Sequence, residues 1–207
     1  MEQELRDEIR GVVTDVLDKG GASWTAFAEA GLLSLSMPED LDGAGLGAQA
    51  QRVLLAEAGA RCVDVPIWST LTAGALPLAS QGLAELMAAV SAGSHFLVPA
   101  LSEPQHALPS QPTTSVRDGR VSGTKTGVVL AGIEGSFTYV VSVSGSEGPM
   151  IALVEAEAPG VEQRAIVTSS GWHEVTVEFR DAPTSTLIDA ADAVRTAALS
   201  GLVAWGA

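Results

Sequence analysis

The side chains able to ligate a metal, attack a carbonyl or shuttle a proton are few here, and they are scattered. Three histidines, His95, His106 and His173, stand far apart, and neither HExxH, CxxC nor GxSxG occurs. A lone histidine in a strand-rich stretch reads as a surface or turn residue, so none receives a catalytic or metal-binding role. Cys62 is the single cysteine, which excludes an intrachain disulfide and a cysteine-rich zinc module. It reads as a small, partly buried hydrophobe beside Arg61. Paired carboxylates suited to acid–base work occur at Glu39-Asp40 and at Glu155 and Glu157. Both pairs adjoin turn residues, so solvated loop charge accounts for them. Trp24, Trp68, Trp172 and Trp205 are dispersed and read as core or interface anchors rather than a stacking platform. These residues alone name no reaction.

The elements that must position them fall into a helix–strand–helix order. From Glu2 to Asp18, Leu5, Ile9, Val12, Val13, Val16 and Leu17 recur at spacings of three and four, which predicts an amphipathic helix stopped by Gly20-Gly21. Ser23 is the expected N-cap of a second helix carrying Trp24, Phe27 and Ala28 and ending near Gly31. Residues 35–47 hold a proline and three glycines and read as a loop. No GK[ST] follows, so it is no phosphate-cradling P-loop. Helices are expected over about 48–60, with Val53, Leu54 and Ala58 inward and Pro66 beyond, then over about 70–80 and 82–92. The last two carry little charge, which points to burial against other helices or another chain.

At about Phe96 the texture changes to short β-branched runs. Strands are expected at 97–101, 113–117, 120–125, 139–143, 151–155, 163–167 and 175–179, with Asp118-Gly119 turning a hairpin. Short strands with close turns predict a compact antiparallel sandwich or small barrel. After Pro183 helical spacing returns, with Ile188, Ala191, Val194, Ala198, Leu202 and Trp205 on one apolar face. The fold class is therefore α+β: a helical domain over 1–96, a β-domain over 97–185 and a C-terminal helix over 186–207. A lone terminal helix is marginal in water, so this face and the low-charge helices together predict a surface for another chain or a missing domain.

Charge narrows the partners. Eleven Lys and Arg against 25 Asp and Glu give a net charge of −14 with neutral histidines, which repels phosphate backbones and acidic lipid headgroups. Nucleic acid and membranes are thus excluded as expected partners. Hydrophobic residues at 46% and charged ones at 17% allow a sizeable core. No apolar run reaches the roughly 18 residues of a membrane span, and the opening MEQELRDEIR has no apolar signal core. A soluble cytoplasmic protein is the expectation.

Several segments, in order, resemble the flavin-dependent acyl-CoA dehydrogenases. Phe27-Ala28-Glu29-Ala30-Gly31-Leu32, Met37-Pro38-Glu39 and Gly43-Ala44-Gly45-Leu46-Gly47 look like the family's early helix and Gly-rich loop, and Glu57-Ala58-Gly59 fits the next helix. Ala100-Leu101-Ser102-Glu103-Pro104 is similar to the A-L-T-E-P strand opening the middle β-domain. Val121-Ser122-Gly123-Thr124-Lys125 fits L-x-G-x-K. Ala152-Leu153-Val154-Glu155 with Pro159-Gly160-Val161 fits a later strand and turn. Val177 to Ala182 with Pro183 resembles L-x-F-x-D-V-x-V-P.

The resemblance implies a helical N-terminal domain, a β-domain and a C-terminal four-helix domain, with flavin adenine dinucleotide (FAD) between the last two. It implies α,β-dehydrogenation of an acyl thioester, a bundle carboxylate taking the α-proton and the flavin the β-hydride. Leu101 and Ser102 stand at cofactor-contacting positions, Ser102 keeping a hydroxyl where the family has threonine. Three features depart from the pattern. Gln105-His106-Ala107-Leu108-Pro109 replaces the usual Gly-Ser-Asp turn. Gly127 and Val129 stand where the family has the flavin-packing tryptophan and the hydrogen-bonding threonine. The chain ends within what corresponds to the first bundle helix, so the catalytic carboxylate has no counterpart and no residue is assigned as catalytic. The implied role is a subunit in lipid metabolism acting on acyl-CoA, such as a steroid side-chain thioester, in a hetero- or homo-oligomer. A homologous, catalytically complete subunit would share or supply FAD, and the isolated chain would bind flavin weakly or not at all. The alternatives are a non-catalytic interaction or scaffold protein that kept the fold, and a piece of a longer enzyme.

Overall fold

The computed structural model describes residues 3–19, 23–130, 132–169 and 171–205, with side chains to Gly201. Two compact units divide the chain, Met1–Phe96 with Thr196–Ala207, and Leu97–Arg195. The expected Gly20-Gly21 stop and the side chains of Leu202 and Trp205 lie outside the described residues. No helix among the described residues is long and apolar enough to cross a membrane.

In the first unit, α1 (Gln3–Lys19) buries Ile9, Val13 and Leu17, a stripe of every fourth residue. Val12 lies outside it and is exposed. Ser23, in extended conformation, caps α2 (Trp24–Glu29), its Oγ accepting from Ala26 N–H at 3.2 Å. Gly31 ends α2 at φ +70°, where Leu32 N–H donates to Phe27 O (3.0 Å) and Gly31 N–H to Ala28 O (2.9 Å), a Schellman closure. The following loop contains one 3₁₀ turn, Glu39–Leu41, and packs so tightly that a Cβ on Gly43 would collide with the Met37 carbonyl. Then α3 (Gly47–Ala60) buries Val53, Leu54 and Ala58, as its spacing predicts.

After Pro66 the chain forms a π-helix, Ile67–Ala75, not an α-helix, and continues as α4 (Leu76–Leu78) and α5 (Ala84–Ser91). The low charge of this region has an internal cause. Ile67, Leu71, Ala73 and Ala75 are fully buried by the chain itself, whereas Ala84, Glu85 and Ala88 of α5 are exposed. Its buried polar atoms are matched locally: Thr72 donates to Gln51 Oε1, and Gln51 Nε2 donates to Ser36 Oγ at 2.6 Å.

The C-terminal helix α6 (Ala191–Trp205) starts later than its apolar spacing predicts, because Ile188 belongs to a strand. Nor does the helix stand alone. From Thr196 it belongs to the first unit, where Trp68 Nε1–H donates to Ala198 O at 3.0 Å. Gly201 is packed so closely that a Cβ would come within 2.7 Å of Trp68 and Thr72. The expected partner-facing face of this helix is thus covered, at Ala198 and Gly201, by the chain itself.

The second unit is one sheet of eight strands: β1 (Phe96–Ala100), β2 (Ser115–Arg117), β3 (Arg120–Val129), β4 (Phe137–Ser144), β5 (Pro149–Glu155), β6 (Val161–Ile166), β7 (Glu174–Pro183) and β8 (Thr186–Ile188). Their order is β6-β7-β3-β2-β4-β5-β8, with β1 on β4. The fold class is α+β, but the sheet is mixed rather than wholly antiparallel, since β2 meets β4 in parallel at Ser115 and Ser144. The reason is topological. Asp118-Gly119, both at positive φ, turn β2 tightly into β3, and β2 then lies between β3 and β4 in the sheet, antiparallel to the first and parallel to the second. Val175, Val177 and Phe179 alternate inward from β7 to meet Tyr139, Val141 and Val143 of β4. The rings of Phe137, Tyr139 and Phe179 contact edge to face, with centroids 5.1 and 5.8 Å apart.

Candidate functional site

Where β1 ends, the segment Leu101-Ser102-Glu103 is held by a buried charge pair. Lys125, on β3, is fully buried, and its ammonium donates to Glu103 Oε1 (2.8 Å) and Ser142 Oγ (2.9 Å) and faces Leu101 O at 3.5 Å. Glu103 Oε1 also accepts from Thr114 N–H (2.9 Å), and Oε2 accepts from Thr113 N–H (2.8 Å) and Oγ1–H (2.7 Å). Ser142 Oγ donates in turn to Leu101 O at 3.2 Å. Every strong donor and acceptor of the pair is thus matched, which a buried ion pair requires to survive desolvation. Burial pushes the Glu103 carboxyl up, but the hydrogen bonds from Lys125, Thr113 and Thr114 outweigh it and hold the group well below the usual carboxylate range. Burial pulls the Lys125 ammonium down to about 8 against the opposing attraction of Glu103.

This clamp fixes the two positions expected to touch a cofactor. Leu101 is buried and Ser102 half-buried, and Ser102 O accepts from Thr126 N–H at 3.0 Å, which sets the segment beside Gly127. The β3–β7 register slips between Lys125 and Val128, making a β-bulge, and Gly127 occupies it at φ +61°. Gly127 is exposed, and a Cβ there would meet only Glu174 Oε2 at 3.9 Å. The turn after Glu103 is closed by Glu103 and His106 bonding each other's backbones, both at 2.9 Å. Beside Leu101 lies a narrow cleft of about 10 Å3, edged by Leu108, Pro112, Ser142, Pro149 and Arg195.

These residues do not fit a flavin by themselves. A bound isoalloxazine needs a flat wall and donors at its carbonyls. Gly127 presents no side chain, Val129 no hydroxyl, and the carbonyls of Leu101 and Ser102 are already engaged. Ser102 Oγ is the one polar side-chain group at the four expected contact positions.

The Glu103–Lys125 pair was missed by sequence reasoning, although both residues stand in the quoted segments. A lysine inside a strand that otherwise buries Val121 and Val128, with a glutamate ending the preceding apolar strand, was the available signal. Elsewhere, His106 acts through its backbone. Cys62 is exposed, at φ +51°, rather than partly buried, because it lies in the tight turn leaving α3. Trp172 is 40% exposed in the β6–β7 loop and is no core anchor. Among the described residues no cluster of three or more His, Cys, Asp or Glu could hold a metal ion.

A helical unit is followed along the chain by a mixed β-unit, in which a buried charge pair clamps the end of the first strand beside a bulged strand. Residues 1–90 match the family model of the acyl-CoA dehydrogenase N-terminal domain. The chain is 36% identical over 170 residues to the acyl-CoA dehydrogenase FadE28 of Mycobacterium tuberculosis, covering 80% of this chain and 48% of that protein. It superposes with a TM-score of 0.87 on a steroid acyl-CoA dehydrogenase, the Tcur3481–Tcur3483 G363A variant, at 32% identity over 98% of this chain and 62% of that one. The ChsE4–ChsE5 complex of M. tuberculosis shares the fold, with a TM-score of 0.82 at 23% identity over 99% and 63% of the two chains. The chain belongs to the acyl-CoA dehydrogenase family. It spans about half the length of the curated relatives it matches, 48% and 40%. Two solved proteins sharing the fold hold a flavin: a glutaryl-CoA dehydrogenase of Mycobacterium smegmatis with FADH2 and an acyl-CoA dehydrogenase of Bacillus anthracis with FAD.

Proposed function

We propose that this chain is an acyl-CoA dehydrogenase-like subunit that takes part in α,β-dehydrogenation of an acyl-CoA thioester together with a homologous, catalytically complete chain. One observation carries this reading: the clamp that positions Leu101 and Ser102 is intact, while the wall beside it is an exposed glycine at a bulge. A strand end held so firmly beside a missing wall fits a site completed from outside. Both acceptors of the reaction, the base for the α-proton and the oxidant for the β-hydride, then belong to the partner, which shares or supplies FAD. The likeness to a steroid acyl-CoA dehydrogenase supports a steroid side-chain thioester as the substrate. Solved relatives made of two differently named proteins support a hetero-oligomer.

Co-expression with the homologous chain tests this. The expected product is a yellow complex that reduces an artificial electron acceptor when given acyl-CoA, and a colourless, inactive complex overturns the proposal. The exposed, left-handed Gly127 favours a second reading, a scaffold that kept the fold and lost the chemistry. That reading requires no flavin and no thioester binding even with the partner present.

A further inference from the structure

The seam between α1 and α3 is stitched by ion pairs over part of its length. Arg10 Nε meets Glu57 Oε1 at 2.8 Å, Arg61 Nη1 meets Glu57 Oε2 at 2.7 Å, and Arg61 Nε meets Asp18 Oδ1 at 3.3 Å. Toward the start of α1 the cross-helix ion pairs thin out, although Glu4, Asp7 and Glu8 stand on the same helix. There Arg6, Arg10, Gln49 and Arg52 edge a groove of about 480 Å3 floored by Val53 and Ala56. Asp7 (3.5 Å) and Glu57 pair with Arg10, but no carboxylate among the described residues pairs with Arg6 or Arg52. Three arginines converge on one groove in a chain that has 25 acidic residues and only 11 basic ones. Arg10 is already offset by Asp7 and Glu57, so it is the unpaired Arg6 and Arg52 that favour an incoming anion.

The spacing selects the form of that anion. Arg6 and Arg10 are four residues apart on one helix, about 6 Å, the interval at which carboxylates at i and i+4 stand on another helix. A trough between two helices accepts the ridge of a third, and its apolar floor suits the methylenes of glutamate side chains. Guanidinium forks bind such carboxylates in bidentate fashion. We propose that this groove docks an acidic helix of a partner protein, with glutamates four residues apart engaging Arg6, Arg10 and Arg52. The proposal stands independently of the dehydrogenase reading. A second copy of this chain is disfavoured as occupant by its net charge of −14.

The test is an NMR titration of the full chain, following the arginine Nε–Hε signals, with a capped alanine-rich helical peptide bearing glutamate at every fourth position. Saturable shifts at Arg6, Arg10 and Arg52 are expected. In the double variant Arg6→Gln/Arg52→Gln the binding read at Arg10 should weaken about tenfold, whereas Arg117→Gln, in the other unit, leaves it unchanged. Equal, non-saturating shifts at all arginines overturn the proposal. So does a saturable response to inorganic pyrophosphate with none to the peptide, which marks a small-anion site. A change in sedimentation of the free chain on making the double variant assigns the groove to self-association and also overturns it.

Discussion

Lys125 and Glu103 carry opposite charges where water does not reach, so each depends on the other for its solvation. Lys125→Met should leave Glu103 facing two backbone N–H groups and a hydroxyl with an uncompensated charge, at a cost of about 3–5 kcal/mol, read as a fall in urea midpoint. Adding Glu103→Gln to that variant should recover part of the loss, which separates charge imbalance from lost packing. The pH dependence has a definite sign. Because the fold holds the Glu103 carboxyl below its ordinary value of 4.5, the unfolded chain takes up the proton first as pH falls. The contribution of Glu103 is therefore complete above about pH 4.5 and drains away as acid is added; chemical denaturation in steps of pH should show this slope in the native chain and not in Glu103→Gln. At Gly127 the backbone itself opposes restoring the missing indole. Gly127→Trp at φ +61° should destabilise by about 1–2 kcal/mol and should still give a colourless chain without quenching of added flavin fluorescence, since Val129 provides no donor. The residue types of Leu101, Ser102, Gly127 and Val129 were legible from the resemblance. The clamp was not, because its members lie at 101, 103, 113, 125 and 142 and only the folded sheet makes them neighbours.

Among the elements, α1, α2 and α3 could be read from spacing and capping because each has one wet face and one dry face. The Ile67–Ala75 stretch could not. With nearly all of its residues buried, it carries no polar face to mark a period, and its lack of charge imitates an interface. Strand β8 was hidden for a related reason: three residues are too few to show alternation, and Ile188 fits either a strand or the helix that follows. The docking of α6 is the element most open to test. Gly201→Val places a branched side chain against Trp68 and Thr72, an overpacking expected to cost about 1–3 kcal/mol. Amide exchange over 196–205 should accelerate in that variant, while the β3 and β7 amides keep their protection. Unchanged protection of the helix would show that Trp68 is not its anchor.

For the whole molecule, charge sets the terms of association. A net charge of −14 should keep the chain from retarding duplex DNA in a gel even at low salt, and a shift that weakens as salt rises would contradict this. Composition and periodicity by themselves determined that the chain builds helices, then strands, then a helix. Ordered motifs placed it in a family and showed which side chains are missing. Those are local properties, written in spacings of two to four residues and in residue identity. Only the tertiary structure decided that the Ile67–Ala75 segment and Val194, Ala198 and Gly201 of the last helix are buried by their own chain, that one strand pairing is parallel, and that a lysine–glutamate pair holds the end of the first strand. These depend on contacts between residues far apart in sequence, whose burial and desolvation exist only once the units have folded.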